Sequence, residues 1–311
     1  MALKVIGHKA PDTDTVCSPI AYAWYLSEKK NIPAEAYVAG ELNKETSYIL
    51  DHFGIQTPQL LKNFSEGDEV ILMDTNNPEE LVDGITSAKI KGIIDHHKLI
   101  GGVTTEEPIA IIMEPIACTA TIVWNIMKRD GVTEIPKGIA GVMLCAILSD
   151  TLKFTSPTTT DIDRNAAQEL ATICGENIDT LADEMFAAKS DLTGMSTRNI
   201  LTIDSKVFEM GTKKARVSVL ETTKPDNALA MLADLQKEMA GVKSDDTVDY
   251  VFFFVVDIIK TEAHLVVSTD EEKKIAEKAY GQTFTGEILK LPGVVSRKTQ
   301  MVPVLQDAIV G

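Results

Sequence analysis

Short apolar runs that alternate with stretches of helical period constrain this chain more than any other feature of it. Residues 3–7, 70–73, 92–94 and 109–113 read as strands, and the runs at 70–73 and 92–94 lack the polar alternation of a strand with one wet face. Between and after them, residues 16–26, 45–53, 119–128, 137–148 and 161–173 carry helical patterns. Strands alternating with helices imply βαβ units and a mainly parallel sheet flanked by helices. In such sheets ligands gather at the carboxyl ends of strands. The residues found there are His8, Asp74 and Asp95.

With 311 residues, two domains are expected, and the pattern restarts after a small, polar stretch at residues 187–196. Strands are expected at 215–220, 250–259 and 264–268, with helices at 226–239 and 271–280. The division reads as a domain over 1–188, a linker over 189–195 and a smaller α/β domain over 196–311. A formal charge of −16 makes general nucleic-acid binding and attachment to anionic membranes poor expectations, because both depend on Lys and Arg. No run approaches the length of a membrane span, and the N-terminus enters a strand pattern without a signal peptide. Cys17, Cys118, Cys145 and Cys174 are widely spaced with no C-x-x-C, which argues against a zinc ribbon or disulfide framework and for a cytoplasmic protein.

The first strand exit, His8-Lys9-Ala10-Pro11-Asp12-Thr13-Asp14, puts an imidazole and two carboxylates in seven residues. Pro11 favours extended geometry around it, so Asp12 and Asp14 can converge with His8. The competing reading is structural, with Asp14 capping a helix that begins near Thr15. Asp74 ends the strand at 70–73, where a lone Asp is usually a turn or cap residue. Asp95-His96-His97 brings two more of the five histidines to a strand end. Adjacent side chains diverge, so one ring can face a metal and the other a substrate, with Asp95 orienting a ring. Asp150 lies at the C-terminal end of an apolar helix, where the helix dipole disfavours an acid. Taken together, His8, Asp12, Asp14, Asp74, His96 and Asp150 are too many ligands for one ion and describe a two-metal centre for phosphoryl transfer. Nitrogen and oxygen donors without thiolate suit Mn²⁺, Co²⁺ or Mg²⁺. The cations for a phosphate substrate are found in Ser296-Arg297-Lys298-Thr299-Gln300, where a basic pair interrupts an otherwise apolar segment. His52, His264 and Cys17 read as structural residues.

H-x-x-x-D-x-D at 8–14, Asp74, D-H-H at 95–97, S-D-T at 149–151 and S-R-K-x-Q at 296–300 together resemble the family II inorganic pyrophosphatases. These are manganese-dependent members of the DHH phosphoesterase superfamily. The resemblance runs from end to end. It implies an N-terminal DHH domain, a smaller C-terminal DHH-associated domain that binds substrate, and an active site in the cleft between them. It implies an inorganic diphosphatase in which a metal-bridging hydroxide splits pyrophosphate into two orthophosphates. His8, Asp12 and Asp74 would hold one Mn²⁺, and Asp14, Asp74, His96 and Asp150 the other. Co²⁺ would substitute, and Mg²⁺ would arrive with the substrate. His97, Lys206, Arg297 and Lys298 would contact the pyrophosphate, and the protein would be a homodimer. Thr75 and Thr299 depart from the residues often found there, His and a second Lys. The rival expectations are a short-chain exopolyphosphatase of the same superfamily and a catalytically inert sensor on the same scaffold.

Overall fold

The protein is described over residues 2–311 by a computed structural model, in which the chain divides into two compact units, up to Ala188 and from Lys189. The first contains β1 (Leu3–Ile6), α1 (Thr13–Lys30), β2 (Ala34–Val38), α2 (Lys44–His52), β3 (Gln59–Leu60), β4 (Glu69–Met73), β5 (Lys89–Asp95) and β6 (Ala110–Met113). Four helices follow: α3 (Thr119–Arg129), α4 (Lys137–Asp150), α5 (Asp161–Cys174) and α6 (Ile178–Lys189). The six strands form one sheet in the order β3-β2-β1-β4-β5-β6, every pair parallel.

Successive residues of these strands enter different apolar clusters. Val5, Ile71, Met73 and Ile94 pack with residues of α1, α3 and α4, whereas Ile6, Val70, Leu72 and Ile93 pack with Phe64, Leu81 and Val82. Both faces are covered, which is why the central runs carry no polar alternation. α4 is buried from Ile139 to Ser149 and packs between α1 and α5, so its sequence is apolar on all sides. β2 is a different case: it is mostly half-exposed, so its apolar signal is weak and the pattern did not disclose it.

The second unit holds α7 (Thr197–Thr202), β7 (Ser205–Met210), β8 (Lys213–Thr222), α8 (Pro225–Leu229), α9 (Leu232–Asp246), β9 (Tyr250–Asp257), β10 (Glu262–Val266), α10 (Asp270–Tyr280), β11 (Ile288–Pro292) and α11 (Val302–Val310). Its sheet runs β11-β10-β9-β8-β7, with β8 and β9 parallel and the other pairs antiparallel. Two expectations need correction. The stretch at 187–196 is helical in α6 as far as Lys189 and irregular only from Ser190, because Met185 and Phe186 still anchor that helix in the core. The single helix at 226–239 is two, broken at Ala230-Met231. α8 buries Ala228, while α9 carries its own stripe of Leu235, Met239 and Val242.

Candidate metal centre

The strand order places β1 beside β4, with chain connections leaving that pair in opposite directions. A parallel sheet opens a crevice at such a reversal, beyond the carboxyl ends of the two strands. His8 follows β1, Asp74 follows β4, and Asp95 ends β5 next to them. The backbones come close here. A Cβ on Gly7 would lie 2.8 Å from the Thr15 methyl and 3.1 Å from the Met73 carbonyl oxygen, so only glycine fits. Asp74 adopts a left-handed φ of 60°, uncommon for a residue with a side chain, and its amide donates to the Ile94 carbonyl at 2.9 Å.

α1 begins at Thr13, and its cap is Asp12, whose Oδ1 accepts from the Thr15 amide at 2.9 Å. The capping role weighed for Asp14 therefore falls to Asp12. Asp14 lies in the first turn of α1, fully buried, and accepts from the amides of Thr119 at 2.6 Å and Ala120 at 3.1 Å. It thereby satisfies the N-terminus of α3, which has no side-chain cap of its own. Two triads of potential ligand atoms result, each within 4.8 Å: His8, Asp12 and Asp74, and Asp14, His96 and Asp150. His8 Nε2 stands 3.6 Å from Asp12 Oδ2 and 3.5 Å from Asp74 Oδ2. His96 Nε2 stands 3.3 Å from the other oxygen of Asp74, Oδ1. All six residues singled out in the sequence are thus brought together, and Asp74 faces both triads. The ligand atoms of Asp74, His96 and His97 also lie within 4.8 Å of one another.

His96 Nδ1 donates to the Ile116 carbonyl at 3.1 Å, which turns Nε2 toward Asp74. His97 Nδ1 lies 3.0 Å from Asp95 Oδ1, and Asp95 is held in turn by the Asn76 amide at 2.5 Å. Asp95 orients His97 rather than His96, and about half of the His97 side chain stays exposed.

The charges interact strongly. Burial disfavours a charged His8, yet Asp12 and Asp74 outweigh it and push its pKa up to about 10. His96 likewise goes to about 9 through Asp74 and Asp14. Burial, then the Asp74 charge, lifts Asp14 to about 6. Burial opposes ionisation of Asp74, but His8 and His96 hold it well below the ordinary carboxylate range. Asp150 is driven well above that range by burial and by Asp14, Asp12 and Asp74.

This donor set fits divalent cations. Asp150 Oδ2 is shut off from solvent with no hydrogen-bond partner among the described residues, and the carboxylates of Asp12, Asp14, Asp74 and Asp150 converge with the imidazoles of His8 and His96, His97 standing beside Asp74. Buried acids so crowded require a cation, a proton or both. Cation and proton compete for these atoms. His8 and His96 carry protons at neutral pH because their pKa values are raised, and an arriving ion must displace them. Mn²⁺ affinity is therefore expected to climb from about pH 6 to about pH 10. Calorimetry in buffers of different ionisation enthalpy should register proton release on binding at pH 7. Binding with no released proton would contradict this account.

In the second unit, Arg297 Nη1 donates to Asp204 through Oδ1 at 2.7 Å and the backbone carbonyl at 2.8 Å. Lys206 and Lys298 are exposed. The turn that presents Arg297 and Lys298 is π-helical, Arg297–Met301, and is pinned at both ends. Gln300 Oε1 accepts from the Val295 and Ser296 amides, its Nε2 donates to Gly293, and Ser296 Oγ accepts from Thr299. The outer residues of S-R-K-x-Q thus build the turn that its inner pair occupies. Sequence reasoning had assigned no task to Gln300, Asn76 or Asp204. Asn76, two residues beyond Asp74, was within reach of it.

The comparisons with known proteins are consistent along the whole chain. The family model for the DHH family, N-terminal domain, matches residues 3–147, and that for the DHHA2 domain matches residues 183–308. A Shouchella clausii protein described as a probable manganese-dependent inorganic pyrophosphatase is 40% identical over 306 residues, covering 98% of this chain and 97% of that one. A Bacillus licheniformis protein with the same description is 39% identical over 308 residues, covering 99% and 98%. A solved Methanococcus jannaschii structure, provisionally described as a family II inorganic pyrophosphatase, matches with TM-score 0.72 and 33% identity, covering 99% of this chain and all of that one.

Proposed function

Because the chain belongs to the family of manganese-dependent, family II inorganic pyrophosphatases, we propose that it hydrolyses inorganic pyrophosphate to two orthophosphates at the crevice beyond β1, β4 and β5. The observation that carries this reading is the Asp74 carboxylate, which has one oxygen near His8 and the other near His96, each histidine belonging to a different group of nitrogen and oxygen donors. His8, Asp12 and Asp74 would hold one Mn²⁺, and Asp14, Asp74, His96 and Asp150 a second. Two such ions would make a shared water acidic near neutral pH and draw charge from the phosphoryl oxygens.

The chain's own residues supply the rest. The Ile116 carbonyl fixes His96, so that ring is oriented before substrate arrives. The hydrogen bond that His97 Nδ1 donates to Asp95 raises the His97 pKa, which favours a cationic ring able to donate to a phosphate oxygen. Arg297, Lys298 and Lys206 would neutralise the remaining oxygens, Arg297 as a planar fork and the lysines as point charges. Phosphoryl transfer asks for positioning and charge neutralisation more than covalent work, and this set provides both. Co²⁺ would replace Mn²⁺ because the donors are imidazole and carboxylate, whereas Mg²⁺ would act chiefly on the substrate. Phosphate release should be faster from pyrophosphate than from tripolyphosphate and should vanish on chelation. Faster release from tripolyphosphate would instead make the chain a short-chain exopolyphosphatase, and release that survives chelation would remove the metal centre from the mechanism.

The same reading includes a homodimer. β6 is the edge of the first sheet, and its Ile111 is 55% exposed, a feature that pairing with a second copy would cover. Sedimentation should then give twice the chain mass of 33.9 kDa. A monomer at micromolar concentration would rule it out. A cytoplasmic setting also belongs to this reading, in keeping with four buried free thiols. No helix of the described residues is long and apolar enough to cross a membrane.

A further inference from the structure

Asp74 is held by more than its strand. Thr15 Oγ1 donates to Asp74 Oδ2 at 2.5 Å, and Thr119 Oγ1 donates to Asp74 Oδ1 at 3.1 Å. The two threonines are buried and come from different helices, Thr15 from the first turn of α1 and Thr119 from the first residue of α3. Each therefore grips a different oxygen. Oδ2 is the oxygen near His8, and Oδ1 is the oxygen near His96. Thr119 does a second thing, since its amide donates to Asp14 Oδ2 at 2.6 Å. One residue thus sets both Asp14 and the Asp74 oxygen that faces His96.

We propose that Thr15 and Thr119 are positioning residues that allot the two oxygens of Asp74 between the two cation positions, Thr15 serving the His8 side and Thr119 the His96 side. The inference rests on the reading of Asp74 as a ligand shared by both ions. Its physical basis is the softness of a carboxylate's terminal torsion, which is broad and roughly two-fold. An unrestrained carboxylate can turn and offer both oxygens to one ion. A hydroxyl on each oxygen stops that rotation and still leaves a lone pair on each oxygen for a metal. The hydroxyls also supply donors in a site otherwise crowded with acceptors, among them Asp12, Asp14 and Asp150.

Valine has nearly the shape of threonine without the hydroxyl, and serine keeps the hydroxyl, so the pair separates hydrogen bonding from packing. Mn²⁺ titration of the full chain by calorimetry, with His8→Gln and His96→Gln identifying the two binding steps, is the test. Thr15→Val should weaken the His8-side step by roughly 10–100-fold, the usual cost of losing a partner that orients a ligand, and Thr119→Val the His96-side step by a similar factor. Each should largely spare the other step, and Thr15→Ser and Thr119→Ser should restore wild-type affinity. The spin-coupled electron paramagnetic resonance signal of a Mn²⁺ pair should weaken in the valine variants and return in the serine ones. Where a valine variant does not fold, the alanine variant carries the same comparison. Unchanged steps in both valine variants, equal weakening of both steps by either one, or serine variants as weak as valine would overturn the proposal. Asp74→Asn separates this from the underlying reading. If that variant keeps both steps intact, the shared ligand itself is wrong. If it loses both while the valine variants bind normally, only the role of the threonines is.

Discussion

Asp74→Asn should abolish pyrophosphate hydrolysis while leaving the chain folded. The backbone at this position has φ 60°, a conformation that asparagine adopts more readily than most residues. The amide oxygen can still accept one of the two threonine hydroxyls. Binding is another matter. In the proposed centre one carboxylate, with an oxygen near His8 and the other near His96, serves both ions, so each ion would lose a direct ligand. Even an outer-shell partner is worth about 10–100-fold in metal affinity or activity, so direct loss at two ions should lower activity by about 10³-fold or more. Asp12→Asn, which touches one triad, should weaken one binding step only. His8 and His96 would also lose the anion that raises their pKa values, and both should titrate closer to an ordinary histidine. Calorimetry with Mn²⁺ and histidine titration by NMR measure these effects. Two Mn²⁺ bound at wild-type affinity in Asp74→Asn would sink the bridging assignment.

Arg297→Ala carries the second large effect. Its guanidinium is only 18% exposed and is aimed by Asp204, through the carboxylate at 2.7 Å and the backbone carbonyl at 2.8 Å. Such a pre-aimed cation need not reorganise when charge shifts onto a leaving phosphate. Removing one preorganised donor of this kind typically costs about 10²–10³-fold in rate. Both kcat and kcat/KM should fall, because the interaction is strongest where charge develops. Lys298→Ala should cost less, since Lys298 is exposed and presents one charge without a fork. Mn²⁺ titration should be unaltered in both variants, which separates substrate binding from metal binding. An Arg297→Ala protein with wild-type kcat/KM would remove Arg297 from the reaction.

How far the site could be read from the chain depended on how close in sequence its parts lie. His8, Asp74 and the Asp95-His96-His97 run each end an apolar strand, so a rule about strand ends finds them without knowledge of what packs where. Asp150 was visible because an acid at a helix C-terminus conflicts with the dipole. The choice of cap between Asp12 and Asp14 was less legible, because moving a helix start by two residues exchanges their tasks. Asn76 held Asp95 from a position adjoining a known motif and left no signal beyond that nearness. Thr119 left none at all. It stands 45 residues from Asp74 and 105 from Asp14, inside a helix start of ordinary composition.

The sequence by itself determined the kinds of atoms available and the ends at which they sit. Apolar runs must be buried, a parallel sheet buries them on both faces, and the polar residues after each run are then left at one edge of that sheet. This follows from periodicity and the hydrophobic effect, which act locally along the chain. Only the tertiary structure decided that β1 and β4 are neighbours, that Asp74 turns through a left-handed backbone, and that its two oxygens face different histidines. It alone decided that helices α1 and α3 each bring a threonine to one of those oxygens. Contacts between distant segments depend on how whole elements pack, and a few tenths of an ångström in that packing is the difference between a hydrogen bond and none.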